Sequence, residues 1–350
     1  DQNTFYFLEV NTRLQVEHGV TEEVFKIDIV EYMLKLAAGK LQSLESIRTI
    51  LRPSGHAIQM RLYAEDTQQD FQPSAGLLSD VYFPEIDGLR VDTWIEAGIE
   101  VPSLFDPMLG KLIVFKDTRE EALALLTDVL EKTRVYGIET NLEYVASVLA
   151  TTAAQTGQLL TKTLSNHALS YSTIRVLAAG TQTTIQDFPG RQGYWNVGVP
   201  PSGPMDSYSL RVANKLLENP ETAAGLEMTA SGPSLLFEAE TTVALTGADM
   251  QAELDGISVP RYATIAVSAG QTLTMGKVVG VGARAYLAVA GGIDCPLYLG
   301  SRSTFTLGQF GGHVGRAIRT GDVLHLDSPT SLESPVKPRT VDIPKIPQVM

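Results

Sequence analysis

The stretch FLEVNTRLQVEHGVTEEV, from Phe7 to Val24, carries more information about the fold than any other part of this 350-residue chain. Polar and apolar side chains alternate between residues 8 and 17. The odd positions hold Glu9, Asn11, Arg13, Gln15 and Glu17, and the even positions hold Leu8, Val10, Thr12, Leu14 and Val16. Because successive side chains of a strand point to opposite faces, this alternation predicts a β-strand with its polar groups on one side.

The polar face of this predicted strand combines two carboxylates, two amides and one guanidinium. Hard oxygen ligands suit magnesium, and a planar guanidinium can bind a small oxyanion through two parallel hydrogen bonds. A strand with one solvent-facing side shows the same alternation, and on pattern alone that simpler interpretation is favoured.

The whole string resembles the metal- and bicarbonate-binding segment of biotin carboxylases, whose usual form is close to EMNTRxQVEHPVTE; Gly19 replaces the usual proline. The resemblance extends from about Phe5 to Tyr171 and includes GHAIQMRLYAED, FQPSAG and FDPMLGKLIVF. It implies part of an ATP-grasp domain that makes carboxyphosphate from ATP and bicarbonate and then carboxylates biotin. The implied cofactors are biotin, ATP and magnesium or manganese.

The resemblance also implies roles for single residues. Glu9 and Asn11 correspond to ligands of the metal that bridges the ATP phosphates. Arg13, Gln15 and the backbone of Val16 correspond to the bicarbonate clamp. The catalytic set would be Arg13, Glu17 as the base that deprotonates bicarbonate, and Arg61 as the cation that stabilises the biotin enolate oxygen. Chemically this is sensible, because an arginine keeps its charge at any cellular pH and a positioned carboxylate can take a proton.

Nothing in the chain resembles the Gly-rich phosphate lid or the nucleotide-binding lysines of the ATP-grasp fold. The chain also lacks an initiator Met and opens within strand-like sequence. We therefore expect a fragment of a longer enzyme, inactive toward ATP by itself.

Composition narrows the class of protein. The net charge is −13, with 27 basic and 40 acidic residues, so the chain offers no basic surface for nucleic acid. No apolar run reaches membrane-spanning length. Cys295 is the single cysteine, which excludes an internal disulfide and fits a reducing, cytoplasmic location.

The second half resembles another family. Two blocks are similar to the carboxyltransferase domain of urea carboxylases, a domain also described as allophanate hydrolase subunit-2-like: TTIQDFPGRQGYWNVGVPPSGPMDSYSLRVANKLL and RAYLAVAGGIDCPLYLGSRSTFTLGQFGGHVGRAIRTGD. The resemblance implies transfer of the carboxyl group from biotin to urea, giving allophanate, a C–N bond-forming ligase reaction of urea degradation. The implied partners are urea, bicarbonate, ATP and a biotin carrier domain, with a homodimer through the carboxylase part.

Urea presents N–H donors and one carbonyl, so its site needs acceptors and a donor. The candidates for a urea and carboxybiotin site lie in Gly- and Pro-rich loops of the matching blocks: Asp187, Arg191, Tyr194, Asp206, Arg302 and Gln309. Asp206 is equally well placed as a helix N-cap. Gly311, Gly312 and Gly315 would admit a ligand close to the backbone, although such a turn is more often only a turn.

The predicted fold class is α+β: the C-terminal part of a biotin carboxylase domain, then a mostly β, cyclophilin-like carboxyltransferase domain. The expected boundaries are residues 1–170, 171–328 and a linker-like tail at 329–350. Local patterns predict a helix over Val20–Ala38 that stops at Gly39, a capping box of Thr118 with Glu121, and a hairpin at Asp255-Gly256.

Two other functions remain open at this stage. One is a hydrolase component of the 5-oxoprolinase or allophanate hydrolase type, and the other is a non-catalytic regulatory binding module. The fused carboxylase sequence argues against the hydrolase component, and the regulatory module stays open.

Overall fold

The computed structural model describes residues 6–41, 43, 45, 47–48, 51–160, 162–167, 169, 171–327 and 338–342. The chain divides into two compact units. The first, here the carboxylase unit, comprises residues 1–75, 81–135 and 140–167, and the second, here the transferase unit, comprises residues 76–80, 136–139 and 168–350. Most of the tail predicted at 329–350 lies outside the described residues. Within the described part, no helix has the length and apolar character needed to cross a bilayer.

The elements up to residue 167 are short. In chain order they are α1 (His18–Phe25), α2 (Ile29–Ala37), β1 (His56–Tyr63), β2 (Glu65–Asp66), β3 (Gln72–Pro73), β4 (Gly76–Leu77), β5 (Asp80–Tyr82), β6 (Leu89–Thr93), β7 (Glu100–Val101), β8 (Met108–Lys116), α3 (Arg119–Lys132), β9 (Arg134–Tyr136), α4 (Leu142–Leu149) and α5 (Thr152–Thr156), followed by a 3-10 turn at Thr163–Asn166.

An antiparallel three-stranded sheet of order β1-β8-β6 forms the centre of the carboxylase unit. Leu112, Ile113 and Val114 follow one another in β8 and all are fully buried, so both faces of the middle strand are covered. Helices α1 and α3 lie against β1 and β8. Helix α3 opens with the predicted capping box, in which Thr118 and Glu121 exchange hydrogen bonds, and this prediction is confirmed.

The predicted helix over Val20–Ala38 is wrong in one respect, because the chain breaks it into α1 and α2. Lys26 adopts the left-handed conformation with φ 54°, which ends α1. Asp28 then caps α2 by accepting a hydrogen bond from the backbone N–H of Glu31. The apolar period continues across the break, so periodicity alone does not reveal it. Gly39 follows the end of α2 with φ 66°, as predicted for a helix stop.

The transferase unit is mostly β. Its elements after residue 170 are β10 (Thr173–Ala178), β11 (Gln182–Gln186), a 3-10 turn (Trp195–Val197), α6 (Ser207–Leu216), β12 (Gly225–Thr229), β13 (Ser234–Phe237), β14 (Thr241–Gly247), β15 (Glu253–Leu254), β16 (Ile257–Ser258), β17 (Thr264–Val267), β18 (Thr272–Thr274), β19 (Arg284–Val289) and β20 (Val323–His325).

Two antiparallel sheets enclose the core of this unit. Their strand orders are β16-β15-β18-β13-β10-β20 and β11-β12-β19-β14-β17. One apolar cluster takes residues from both sheets, among them Phe237 from the first and Leu287 from the second. The opposite face of the five-stranded sheet is covered by α6, where Ala213 and Leu216 pack against Ala244 and Ala288.

The predicted hairpin at Asp255-Gly256 is confirmed. It connects β15 to β16, and its two turn residues have φ values of 49° and 80°. Two positive φ values are what the type I′ turn of a tight hairpin requires.

Candidate functional site

The segment from Phe7 to Val16 is not a strand in the structure, so that part of the prediction is wrong. The first aliphatic side chains are exposed, with 89% of Leu8 and 69% of Val10 accessible, whereas Leu14 and Val16 are half-buried. A strand needs a neighbouring strand for its backbone hydrogen bonds, and no described residue pairs with this segment.

Of the polar residues in this segment, Glu9, Asn11 and Arg13 are exposed and Gln15 is half-buried. The Asn11 amide donates to Glu9 Oε1 at 3.5 Å, and Arg13 Nη1 donates to the carbonyl of Leu14 at 3.4 Å. Glu9 and Asn11 offer oxygen donors of the kind that magnesium prefers, which fits a role as two of its ligands. In the described part of the chain no group of three His, Cys, Asp or Glu side chains is arranged to hold a metal ion. Glu9 and Asn11 do not form a complete coordination shell by themselves.

Glu17 and Arg61 are brought together although 44 positions separate them. Glu17 immediately precedes α1, and Arg61 Nη2 donates to its Oε2 at 2.8 Å. Arg61 Nη1 also lies 3.4 Å from the hydroxyl of Tyr63. This hydrogen bond outweighs the effect of partial burial, and the Glu17 charge adds to it, so the pKa of Arg61 is raised above its ordinary value.

Two further contacts fix the backbone on each side of this pair. Asn141, at the start of α4, accepts from the N–H of Tyr63 at 2.9 Å and donates to the carbonyl of Arg61 at 3.0 Å. Lys111 Nζ lies 3.4 Å from the carbonyl of Val16, next to Glu17. Sequence reasoning missed both residues, because the contacts form between elements far apart in the chain.

A buried carboxylate, Glu22, attaches α1 to the sheet. It accepts from Arg90 Nη1 at 2.7 Å and from the N–H of Ile29 at 2.8 Å, which joins both short helices to β6. Arg90 forms two bonds with Asp92, and Asp92 also pairs with Lys111 at 3.1 Å. Burial raises the pKa of Asp92, but the hydrogen bonds from Arg90 and Lys111 lower it by a larger amount. The pKa of Asp92 therefore lies below its ordinary value.

The usual proline of the motif is Gly19 here, and the structure gives it a packing role. A Cβ at Gly19 would lie 2.3 Å from Cδ1 of Ile113, so α1 approaches β8 closely at this point. Asp106 accepts a hydrogen bond from the N–H of Met108 at 2.8 Å, which is the pattern of an Asx-turn.

In the transferase unit, Asp187 is buried and fully engaged with the chain. Its carboxylate accepts from Ser301 Oγ at 2.5 Å, from Ser303 Oγ at 2.6 Å and from the N–H of Arg302 at 2.8 Å. The structure thus assigns this carboxylate to holding the loop at 301–303.

Arg191 is also internal, with 1% of its surface exposed. Its guanidinium donates to the carbonyls of Tyr298 and Ser303 and stands 4.9 Å from the ring centre of Phe310. Burial lowers the pKa of Arg191, and the charge of Asp187 opposes that effect. Nη1 is buried without a hydrogen-bond partner among the described atoms.

Arg302 forms ion pairs with two carboxylates. Nη2 lies 3.0 Å from Asp294 Oδ1, and Nη1 bonds Asp327. The hydroxyl of Tyr136 donates to the other oxygen of Asp294 at 3.0 Å. Residues 136–139 of the chain therefore fold with the transferase unit, although the resemblance to biotin carboxylases includes them.

The other candidates of this unit are more accessible. Asp206 is exposed and caps α6, accepting from the N–H of Ser209 at 3.1 Å and from its hydroxyl at 2.5 Å. Tyr194 is half-buried and precedes the 3-10 turn, and Gln309 is exposed with φ 57°.

The glycine turn after Gln309 is filled by the chain itself. A Cβ at Gly311 would lie 2.1 Å from the carbonyl oxygen of Ser303, and one at Gly315 would lie 2.1 Å from the backbone of Gln309. Their φ values of 71° and 66° are left-handed. These glycines serve close packing of backbone on backbone, not the approach of a ligand.

A buried polar pair next to Asp206 was missed by sequence reasoning. Glu227 and Tyr286 are directly opposite in β12 and β19, and the Tyr286 hydroxyl donates to Glu227 Oε2 at 2.9 Å. Burial and the Glu227 charge raise the pKa of Tyr286. The signal available in the sequence was a glutamate inside an otherwise apolar strand, GLEMT.

Three protein-family models match different parts of the chain. Residues 59–166 match the biotin carboxylase C-terminal domain, residues 197–349 match the carboxyltransferase domain, subdomain A and B, and residues 1–45 match the carbamoyl-phosphate synthase L chain, ATP binding domain.

Individual relatives match almost the whole chain. Urea amidolyase of Saccharomyces cerevisiae is 45% identical over 93% of this chain, and the putative urea carboxylase of Emericella nidulans is 41% identical over 94%. The crystal structure of Kluyveromyces lactis urea carboxylase is 43% identical, with a TM-score of 0.89 over 99% of this chain. The chain spans only 18%, 27% and 31% of these three proteins, respectively.

The two domain matches define the class: a region similar to the biotin carboxylase C-terminal domain is followed in one chain by a region similar to the carboxyltransferase domain, subdomain A and B. The predicted fold class is therefore confirmed. Within that class the chain is homologous to the urea amidolyases and urea carboxylases, as the sequence blocks indicated.

Proposed function

We propose that this chain belongs to an enzyme that carboxylates biotin with ATP and bicarbonate and then transfers the carboxyl group to urea, giving allophanate. The observation that carries the proposal is the contact between Glu17 and Arg61 at 2.8 Å, in a chain that continues into a carboxyltransferase domain. A base and a permanent cation at one place are what a bicarbonate-activating site needs.

In the first half-reaction, Arg13, Gln15 and the backbone of Val16 bind bicarbonate, and Glu17 removes its proton. Arg61 supplies a fixed positive charge beside that base, in a position supported by Asn141. Glu9 and Asn11 would hold a divalent metal as two of its ligands, and the metal would supply positive charge beside the ATP phosphates. Biotin, when bound, supplies the ureido nitrogen that accepts the carboxyl group.

In the second half-reaction, the loops of the transferase unit bind urea. Buried side chains give these loops a fixed shape: Asp187 holds residues 301–303, and Arg191 holds the carbonyls of Tyr298 and Ser303. A rigid loop with satisfied internal hydrogen bonds can present its exposed groups in one geometry, which favours binding of a small, planar substrate.

The proposal extends to assembly and location. A homodimer formed through the carboxylase part, in the cytoplasm, follows from the resemblance of that part to biotin carboxylases. Sedimentation of the full-length protein tests the dimer.

The decisive experiment uses the full-length protein that contains this chain. We expect bicarbonate-dependent phosphate release and carboxylation of urea in preference to guanidine. Glu17→Gln should reduce phosphate release by about 100-fold or more, because a positioned general base contributes that much. Glu23→Gln, on the same helix, is the matched control and should retain the wild-type rate. Phosphate release that survives Glu17→Gln excludes Glu17 as the base.

A further inference from the structure

The two acidic candidates of the transferase unit have opposite environments. Asp187 is buried and bonded to the 301–303 loop, whereas Asp206 is exposed. The neighbours of Asp206 are exposed as well: 71% of Met205 and 58% of Tyr208 are accessible. Of the two carboxylates, Asp206 is therefore the one that can contact a ligand.

The backbone of Met205 and Asp206 is held from below by side chains of the five-stranded sheet. The Tyr286 hydroxyl accepts the N–H of Asp206 at 2.7 Å and donates to Glu227 Oε2 at 2.9 Å. The same oxygen of Glu227 accepts the N–H of Met205 at 2.7 Å. We call Glu227 and Tyr286 together the tether.

A helix start does not require this arrangement. The Asp206 side chain already caps α6 through Ser209, which is sufficient for the first turn. The Glu227 carboxylate lies inside the sheet with 9% of the residue exposed, and removing its charge from water costs free energy. Its hydrogen bonds and the contact with Arg284 at 3.3 Å must offset that cost. Such a buried polar pair fixes one conformation of the loop above it.

The carboxylate of Asp206 retains acceptor capacity. An ionised carboxylate has about four acceptor positions, and the Ser209 N–H and hydroxyl use two of them. Because the residue is exposed, the remaining positions are accessible to an N–H donor. Urea carries four N–H hydrogens on its two planar NH₂ groups.

We propose that Glu227 and Tyr286 are positioning residues for urea: they fix Met205 and Asp206 so that the Asp206 carboxylate accepts an N–H of the substrate. This inference rests on the proposed function, since it concerns the urea site of the same enzyme. It adds two residues and gives Asp206 a binding role besides its capping role.

The test measures KM and the calorimetric dissociation constant for urea in the full-length protein. Asp206→Asn keeps the cap, because Asn caps as well as Asp, but replaces one acceptor oxygen with an NH₂ donor. Both constants should rise about tenfold, the effect of losing one hydrogen bond to a charged group. Tyr286→Phe should raise them about fivefold in the wild-type background and leave them unchanged in the Asp206→Asn background, because residues acting through one contact are not additive.

Thr246→Val provides the matched control. Thr246 is a fully buried neighbour of Tyr286 in the sheet, and its hydroxyl donates to the carbonyl of Ser209, within α6, at 2.8 Å. If the tether acts through Asp206, this variant keeps the wild-type constants for urea. Glu227→Met, which keeps the side-chain length but has no acceptor oxygen for the Met205 N–H or the Tyr286 hydroxyl, is a second tether variant for the case that Tyr286→Phe folds poorly, and it should behave as Tyr286→Phe does.

Equal factors for Tyr286→Phe in both backgrounds overturn the inference, as does a wild-type KM for urea in Asp206→Asn. Either result leaves the proposed function standing as long as urea is carboxylated. If the wild-type protein carboxylates guanidine and not urea, the proposed function fails, and the tether inference fails with it.

Discussion

At the scale of single residues, the carboxylase unit depends on a charge that sequence reasoning did not identify. Glu22 is buried and bonds Arg90 and the Ile29 N–H, whereas Glu23 is partly exposed and pairs with Lys26 at 3.1 Å. We expect Glu22→Gln to destabilise the α1–α2 region by about 1–3 kcal/mol, because the amide keeps one acceptor oxygen for two donors and sets its NH₂ against the other.

Hydrogen exchange of the full-length protein, read on peptides covering residues 18–37, measures this effect. Glu23→Gln is the control, with an expected change below about 1 kcal/mol, since its ion pairs with Lys26 at 3.1 Å and Arg90 at 3.7 Å lie closer to solvent and such pairs contribute little. Equal protection in both variants would show that the Glu22 contacts do not stabilise the helices.

We expect the stability of the transferase unit to depend on pH through Asp322. The Asp322 carboxylate contacts Arg316 at 2.7 and 2.9 Å, His313 at 3.5 Å and the Arg319 N–H at 2.7 Å. Burial raises the pKa of Asp322, but these contacts lower it by more, so the pKa lies well below its ordinary value. A carboxylate whose pKa is lowered by folding stabilises the folded state at pH values above its unfolded pKa of about 3.9. This stabilisation is lost as the pH falls through the folded pKa.

Thermal unfolding measured between pH 3 and pH 7 tests this. Asp322→Asn should lower the Tm at pH 7 and flatten its decline below about pH 4. Glu240→Gln, which alters an exposed carboxylate of the same unit, should leave the profile as in the wild type. A wild-type decline in Asp322→Asn would assign the acid sensitivity to other groups.

At the scale of elements, α3 offers the clearest link from sequence to stability. Its capping box satisfies two backbone donors, since Thr118 accepts from the Glu121 N–H and Glu121 accepts from the Thr118 N–H. Thr118→Ala should cost about 1 kcal/mol and increase exchange in the first turn of α3. Thr127→Ala, in the middle of the same helix, removes only a bond to the Leu123 carbonyl and should be close to neutral. Equal losses in the two variants would contradict the assigned role of the cap.

The elements also show how far sequence alone can reach. The capping box and the Asp255-Gly256 hairpin were predictable because each depends on residues close in sequence. The break between α1 and α2 was missed because it depends on the left-handed backbone conformation of Lys26. A lysine in the sequence does not predict that conformation. The strand predicted for Phe7–Val16 failed because pairing depends on a neighbour, not on alternation.

The candidate sites divide in the same way. The residues of the first motif and Arg61 were selected by resemblance. In the structure, Arg61 donates a hydrogen bond to Glu17. In the transferase unit, the resemblance indicated candidate loops but not which of their side chains are exposed. Asp187 and Arg191 are buried by residues more than 100 positions away, and no local pattern encodes such contacts.

At the scale of the whole molecule, each compact unit contains its own polar network, so damage to one half-reaction should spare the other. Asp187 lies within the transferase unit, bonded only to residues of that unit among the contacts described, and Glu17 lies within the carboxylase unit. Asp187→Asn turns an NH₂ donor toward hydroxyl and N–H donors, which disorders the 301–303 loop at a cost of about 1–3 kcal/mol. In the full-length protein we expect Asp187→Asn to lose most urea-dependent carboxylation while keeping bicarbonate-dependent ATP cleavage with free biotin. Glu17→Gln should lose both activities, because the second half-reaction consumes the product of the first. If Asp187→Asn loses ATP cleavage in proportion to transfer, the two networks are not independent, and the division of function between the units is wrong.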